Sequence, residues 1–297
     1  MPLTTRFIDP FTDYGFKRLF GTEANKELLI AFLNLFLPQK HQITALRYAR
    51  NEFSGLNEMD RKAVFDLYCI AQNGDRFIVE LQQARQVFFK DRSVFYSSYP
   101  IQEQGQVGRW NFELQSVYMI AVLDFILTDN ADVVSTVQLK DQHNQVFYDK
   151  LTYIYMEMPK FTKAEDQLET QSDKWLYILK YLPHLYERPD WIQERILNNL
   201  FDAAEVANLS RSERSHYEES LRTYRDLENT LSYSEEKGLR RGMEKGMAKG
   251  MEKGIEKGQR DQQLATARKA LEAGLSTAII ATLTGLAEKE IRDLMND

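Results

Sequence analysis

The chain has 297 residues, 28% of them charged, with 44 Asp/Glu against 38 Lys/Arg and a net charge of -6. That length allows one large core with appendages, and the acid excess excludes a globally basic polyanion binder: residues 237–260 alone carry eight Lys/Arg against three Glu, so any nucleic-acid contact must rest on local patches. A single cysteine, Cys69, excludes a disulfide within the chain, no leader-like pattern opens it, and the longest apolar run, "VYMIAVLDFIL", is about half of what a bilayer crossing needs and carries Asp124; a cytoplasmic protein without membrane spans is expected.

The opening "DPFTDYGFKRLFGTEANKELLIAFLNLFLP" spaces Phe16, Leu19 and Phe20, then Leu28, Leu29, Phe32, Leu33 and Phe36, for helices with one buried face. Pro38 is expected to close it. "KAVFDLYCIA" and "RFIVELQQ" are rich in branched and aromatic residues and flank "QNGD", a hairpin signal. "VFFKDRSVFYSSYPIQEQ" predicts a helix interrupted near Pro100, and "SVYMIAVLDFIL" a further strand. From Asp166 to about Ser234 the pattern is mostly helical, with aromatic anchors at Trp175, Tyr177, Tyr181 and Trp191. A glycine at every fourth position from Gly238 to Gly258 follows, then a compact helical tail. Helices alternating with strands predict an α/β or α+β core in the first half.

The hairpin decides where two acids fall. A two-residue loop, Asn73–Gly74, would set Asp66 opposite Leu81 and put Asp66 and Glu80 on opposite faces. A three-residue loop, Gln72–Asn73–Gly74, places glycine where a left-handed residue is wanted. Asp66 then pairs directly with Glu80, and Gln82 shares their face. Adjacent carboxylates repel, and without a cation one takes up a proton. Hard oxygen donors with no histidine or cysteine beside them favour Mg²⁺ or Mn²⁺ over zinc, with open positions for water and phosphate oxygens. Acids on a solvated sheet face are the plain alternative. The four histidines have no ligand spacing, and the glycines, four apart with each lysine preceding its glycine, do not form a phosphate loop.

In their order, "FTDYGFKRLFGTEANKELLIAFLNLFLP", "VFDLYCIAQNGDRFIVELQQ", "DRSVFYSSYPIQEQGQVGRWNFELQSVYMIAVLDFIL" and "SDKWLYILKYL" resemble the PD-(D/E)XK nuclease superfamily, in its transposase-like, recombination-promoting (Rpn or YhgA-like) branch. The likeness spans about Phe7 to Leu182. It implies a restriction-endonuclease-like α/β core of one helix, a three-stranded meander, a second helix and a fourth strand, with a helical C-terminal extension. It also implies Mg²⁺- or Mn²⁺-dependent cutting of DNA, here expected with little sequence specificity, in recombination or DNA mobility. Asp66 and Glu80 match the acids expected to hold the metal, and Gln82 stands where the wider superfamily has lysine, to assist water or phosphate. Glu23 and Glu27 are candidates for a third acid. Arg92 and Tyr96 match an arginine and tyrosine of the second helix, with a DNA phosphate or a neighbouring acid as the partner of Arg92. Asp13 matches a motif residue or caps the helix after it. The competing reading is a non-catalytic nuclease fold serving as a DNA- or partner-binding protein.

The domains expected are a nuclease core over residues 1–165, a helical region over 166–234, the basic glycine repeat over 235–260 and a helix-turn-helix-like tail over 261–297. A period of four drifts about 40° per repeat on a helix, so the glycines trace a slanting groove beside a ridge of Leu239, Met243, Met247, Met251 and Ile255. Each glycine costs about 1 kcal/mol against alanine. A partly helical basic tether is therefore favoured over a homo-oligomeric stalk. In the tail, Gly285 is the turn glycine, and "AEKEIRDLM" is too acidic for a DNA groove, which favours a docking module over a DNA reader.

Overall fold

Helix α1 (Asp13–Phe20) begins at Thr12, whose hydroxyl accepts the Gly15 N–H at 3.0 Å in the computed structural model, which describes residues 5–53 and 63–294. That bond satisfies a backbone donor with no helical partner. The cap is thus Thr12; Asp13 takes the first helical position and pairs with Lys17 one turn on, at 2.7 Å. Gly15 is required by close approach, since a Cβ there would lie 2.0 Å from the Asp9 carbonyl oxygen. Phe16, Leu19 and Phe20 are buried with Leu28, Leu29, Phe32 and Leu33 of α2 (Lys26–Asn34). Each such side chain contributes about 1.5–3 kcal/mol when removed from water. Helix α2 ends four residues before Pro38: the Asn34 side chain exchanges two 2.8 Å bonds with the backbone of Ile43 and so fixes the turn.

The principal sheet has six strands. Strand β1 (Leu46–Tyr48) pairs antiparallel with β4 (Leu67–Ala71), and β4 with β5 (Arg76–Gln82), giving the expected meander. A short pair, β2 (Glu52–Phe53) and β3 (Ala63–Val64), branches off between β1 and β4; Lys62, read as opening the first hairpin strand, lies outside the described residues. Helix α3 (Phe89–Gln102) crosses over to β6 (Val117–Leu123), parallel to β5. Pro100 does not interrupt α3. It lies in the last turn, where its missing N–H removes one bond. Strand β6 is buried along its length and ends just before Asp124. The sequence reading proposed nothing over the next forty residues, where β7 (Val134–Lys140) and β8 (Val146–Glu157) form an antiparallel hairpin that extends the sheet, β8 lying parallel to β6.

One face of the sheet, with Leu67, Cys69, Phe77, Val79, Ile120 and Val122, packs with α1, α2, α4 (Gln171–Tyr181), α5 (Arg195–Ala204) and the start of α6 (Arg211–Glu272). The other face, with Tyr68, Ile78, Met119 and Ala121, lies under Phe89 of α3. Trp175 is fully enclosed, whereas Tyr177, Tyr181 and Trp191 pack at its margin. No helix among the described residues is long and apolar enough to cross a membrane.

The chain divides into two compact units between Glu228 and Asn229. In the second, α6 stays helical through every glycine from Gly238 to Gly258. The sequence suggested only partial helix there; the repeat propagates a helix with packed residues near both ends, Tyr217 and Leu221 at one and Ala267 at the other, and propagation needs far less than nucleation. Helices α7 (Thr277–Thr284) and α8 (Glu288–Asp293) meet at Gly285, whose φ of 69° is left-handed. Ala267, Ile280, Leu286 and Ile291 form their core. Residues 295–297, part of the predicted tail, lie outside the described residues.

Candidate active site

The β4–β5 turn sets the geometry. Ala71 N–H donates to the Asp75 carbonyl at 2.9 Å, Gly74 N–H to that of Ala71 at 3.0 Å, and Gly74 has φ 87°. The loop is therefore Gln72–Asn73–Gly74, and the register runs from Ile70↔Arg76 to Leu67↔Val79. One step further, Asp66 stands opposite Glu80. There side chains replace the backbone ladder: Asp66 N–H donates to Glu80 Oε1 at 3.2 Å, and Leu81 N–H donates to Asp66 Oδ2 at 2.7 Å. Each carboxylate thus reaches across to the other strand. Glu80 is buried and Asp66 half-buried.

Burial, then the charge of Asp66, pushes the Glu80 carboxyl up to about 8; burial likewise raises that of Asp66. Two positive groups oppose this at both carboxylates, Lys17 of α1 and Arg92 of α3, while Asp13 adds to the negative charge around Asp66. Lys17 is the residue that the sequence reading missed. Its signal was the Asp13–Lys17 spacing in "DYGFK", which puts both on one helix face.

Gln82 closes β5. Its side-chain oxygen accepts Arg92 Nη2, and its Nε2 donates to the Ala84 carbonyl at 3.0 Å. Arg92 also donates from Nη1 to Gln86 Oε1 at 2.7 Å, and its guanidinium lies 5.2 Å from the Phe89 ring centre and 5.5 Å from that of Tyr96. Arg92 Nε is buried without a partner. The partners of Arg92 are amide oxygens and aromatic faces, a set the sequence did not single out.

The acids of the next turn are elsewhere. Glu23 pairs with Lys26, and Glu27 with Arg195 of α5 at 3.0 Å. Among the described residues no group of three or more His, Cys, Asp or Glu is placed to hold a metal ion. Asp13 of α1 adds its negative charge at Asp66.

Residues 10–234 match the family model of the PD-(D/E)XK nuclease family transposases. The chain belongs to that family. No curated protein and no solved structure matches it. The match of this PD-(D/E)XK family member runs from the segment before α1 through the sheet and α3 into α6, and so includes Asp13, Lys17, Asp66, Glu80, Gln82 and Arg92.

Proposed function

We propose that the protein is a divalent-metal-dependent endonuclease that hydrolyses DNA phosphodiester bonds with little sequence specificity, in recombination or DNA mobility. The observation that carries the reading is the cross-strand lock of Asp66 and Glu80 in a chain of nuclease family. The donor set fits a hard cation. Asp66 Oδ2 and Glu80 Oε1 accept backbone N–H groups, which leaves Asp66 Oδ1 and Glu80 Oε2 to hold Mg²⁺ or Mn²⁺. Two carboxylates suffice for an ion that keeps its waters and takes phosphate oxygens. Bound there, the ion would polarise the phosphate and lower the pKa of a water.

The chain's own groups supply the rest. Gln82 brings no charge where the wider superfamily has lysine, and Lys17 and Arg92 provide positive charge around the carboxylates from two neighbouring helices. Arg92, stacked beside Tyr96, is suited to hold a phosphate oxygen, and its bond to Gln82 fixes the amide.

Purified protein should nick plasmid DNA with Mg²⁺ or Mn²⁺ and stop in chelator. Asp66→Ala should lower the rate by about 100-fold or more while circular dichroism stays parental. A variant that cuts as fast as the parent would reject the site, and a parent that binds DNA but never cuts it would favour the binding-protein reading.

A further inference from the structure

We propose that the exposed flank of α3 is a stacking surface for unpaired nucleic-acid bases, so that the Asp66–Glu80 cleft receives a single-stranded or locally opened segment. The inference rests on the nuclease reading and names the substrate form that the site takes.

Arg92, Phe95 and Tyr99 recur at i, i+3 and i+7 on one side of α3, and Phe88, the residue just before the helix, continues the same series. Phe88 is 72% exposed and Phe95 51%. Val94, about 100° further round the helix, is exposed too. A lone apolar side chain at the surface is ordinary, but a contiguous set marks a contact surface. Phe95 packs edge-on against Tyr99, with ring centres 5.3 Å apart, which leaves it anchored while half its surface faces solvent.

The occupant is chosen by charge and by continuity with the cleft. Residues 85–102 carry Arg85, Lys90 and Arg92 against Asp91 alone, a net +2 in a chain of net charge -6; that sign suits a polyanion. Arg92 lies on the aromatic side of the helix and bonds Gln82 at the end of β5, so a strand lying along α3 runs directly into the site. Phe88 and Phe95 are about 10 Å apart along the axis, the rise of roughly three nucleotides at about 3.4 Å each. Paired bases hide their faces within the duplex stack. Unpaired bases present them to aromatic rings, and such stacking tolerates any sequence.

The test uses the full chain in chelator, so that binding is read without cutting. The probe is an oligonucleotide containing 2-aminopurine, free and annealed to its complement. Expected is quenching of the free strand on binding, about tenfold or greater loss of its affinity in the Phe88→Ala/Phe95→Ala variant, little change for the duplex, and retention in Phe88→Tyr/Phe95→Tyr. Phe88 is largely exposed and Phe95 half-exposed, so the alanine variant should stay folded with only a small fall in melting temperature, and the tyrosine variant, which keeps both rings, controls for it. Equal single-strand affinity in parent and alanine variant, or equal losses for strand and duplex, would overturn the proposal, as would a parent that does not bind the free strand. If the parent never cuts with Mg²⁺ but shows this aromatic-dependent binding, the nuclease reading fails and the stacking surface stands.

Discussion

At the scale of single residues, the same burial that assembles the site also leaves carboxyls at a disadvantage. Asp9 offers a test of that cost away from the candidate metal ligands. Burial raises its carboxyl to about 6, with Asp124 and Glu228 adding negative charge and the Phe11 N–H, which donates to Oδ1 at 2.8 Å, opposing the shift. A raised carboxyl holds its proton more tightly folded than unfolded, so its contribution to stability is full below its ordinary value of 3.8 and is lost as pH rises through about 6. Asp9→Asn keeps an oxygen for Phe11 and never charges. Its melting temperature should match the parent near pH 4 and exceed it above pH 6, by up to roughly 3 kcal/mol at about 2–4 °C per kcal/mol. A gap that closes as pH rises would reject the assignment of burial as the cause. The Asp66–Glu80 pairing was legible because a hairpin count needs only local chemistry. The surroundings of that pair were not. Lys17 and Arg92 come to it from separate helices through tertiary packing, and Glu27 was drawn off to Arg195, far away in sequence.

At the scale of elements, one glycine fixes which acids meet. A side chain at Gly74 would require a left-handed conformation that costs about 1–2 kcal/mol, and a Cβ there would lie 3.2 Å from the side chain of Gln115. Gly74→Ala should therefore lower the unfolding free energy by about 1–2 kcal/mol in denaturant melts, and Gly74→Asn by less, because asparagine tolerates that region. An alanine variant as stable as the parent would mean that the loop readily takes another form, and the Asp66–Glu80 register would lose its anchor. The meander, α3 and β6 were readable from dense runs of branched and aromatic residues. The β7–β8 hairpin was passed over although "VVSTVQLK" alternates: β7 is mostly exposed or half-exposed, so its apolar content is thin. Its turn is held by Asp141 and a left-handed Asn144 without any glycine, so the strongest turn signal was missing too. Helix α2 shows a different limit, because its end is set by the Asn34–Ile43 bonds, which local propensity does not report.

At the scale of the whole molecule, the family likeness extends to residue 234, and the glycine repeat lies wholly beyond it. At Gly242, Gly246, Gly250 and Gly254 an added Cβ meets nothing within 4 Å, and the backbone is already helical. Alanine at all four should therefore raise helix stability by about 1 kcal/mol per site, read as greater helicity and a later thermal loss of the helical signal. If the segment is a tether, metal-dependent cutting and sedimentation mass stay parental. The ridge of Leu239, Met243, Met247, Met251 and Ile255 beside the glycines is exposed, and in a close-packed stalk the new methyl groups would hold two such helices apart. A shift to smaller species at matched concentration would then reject the tether, whereas unchanged mass with more helix would reject the stalk. The tether outcome is the expected one. The glycines interrupt no packing within the chain, and the basic residues recurring every fourth position from Lys237 to Lys257 repel one another along the helix.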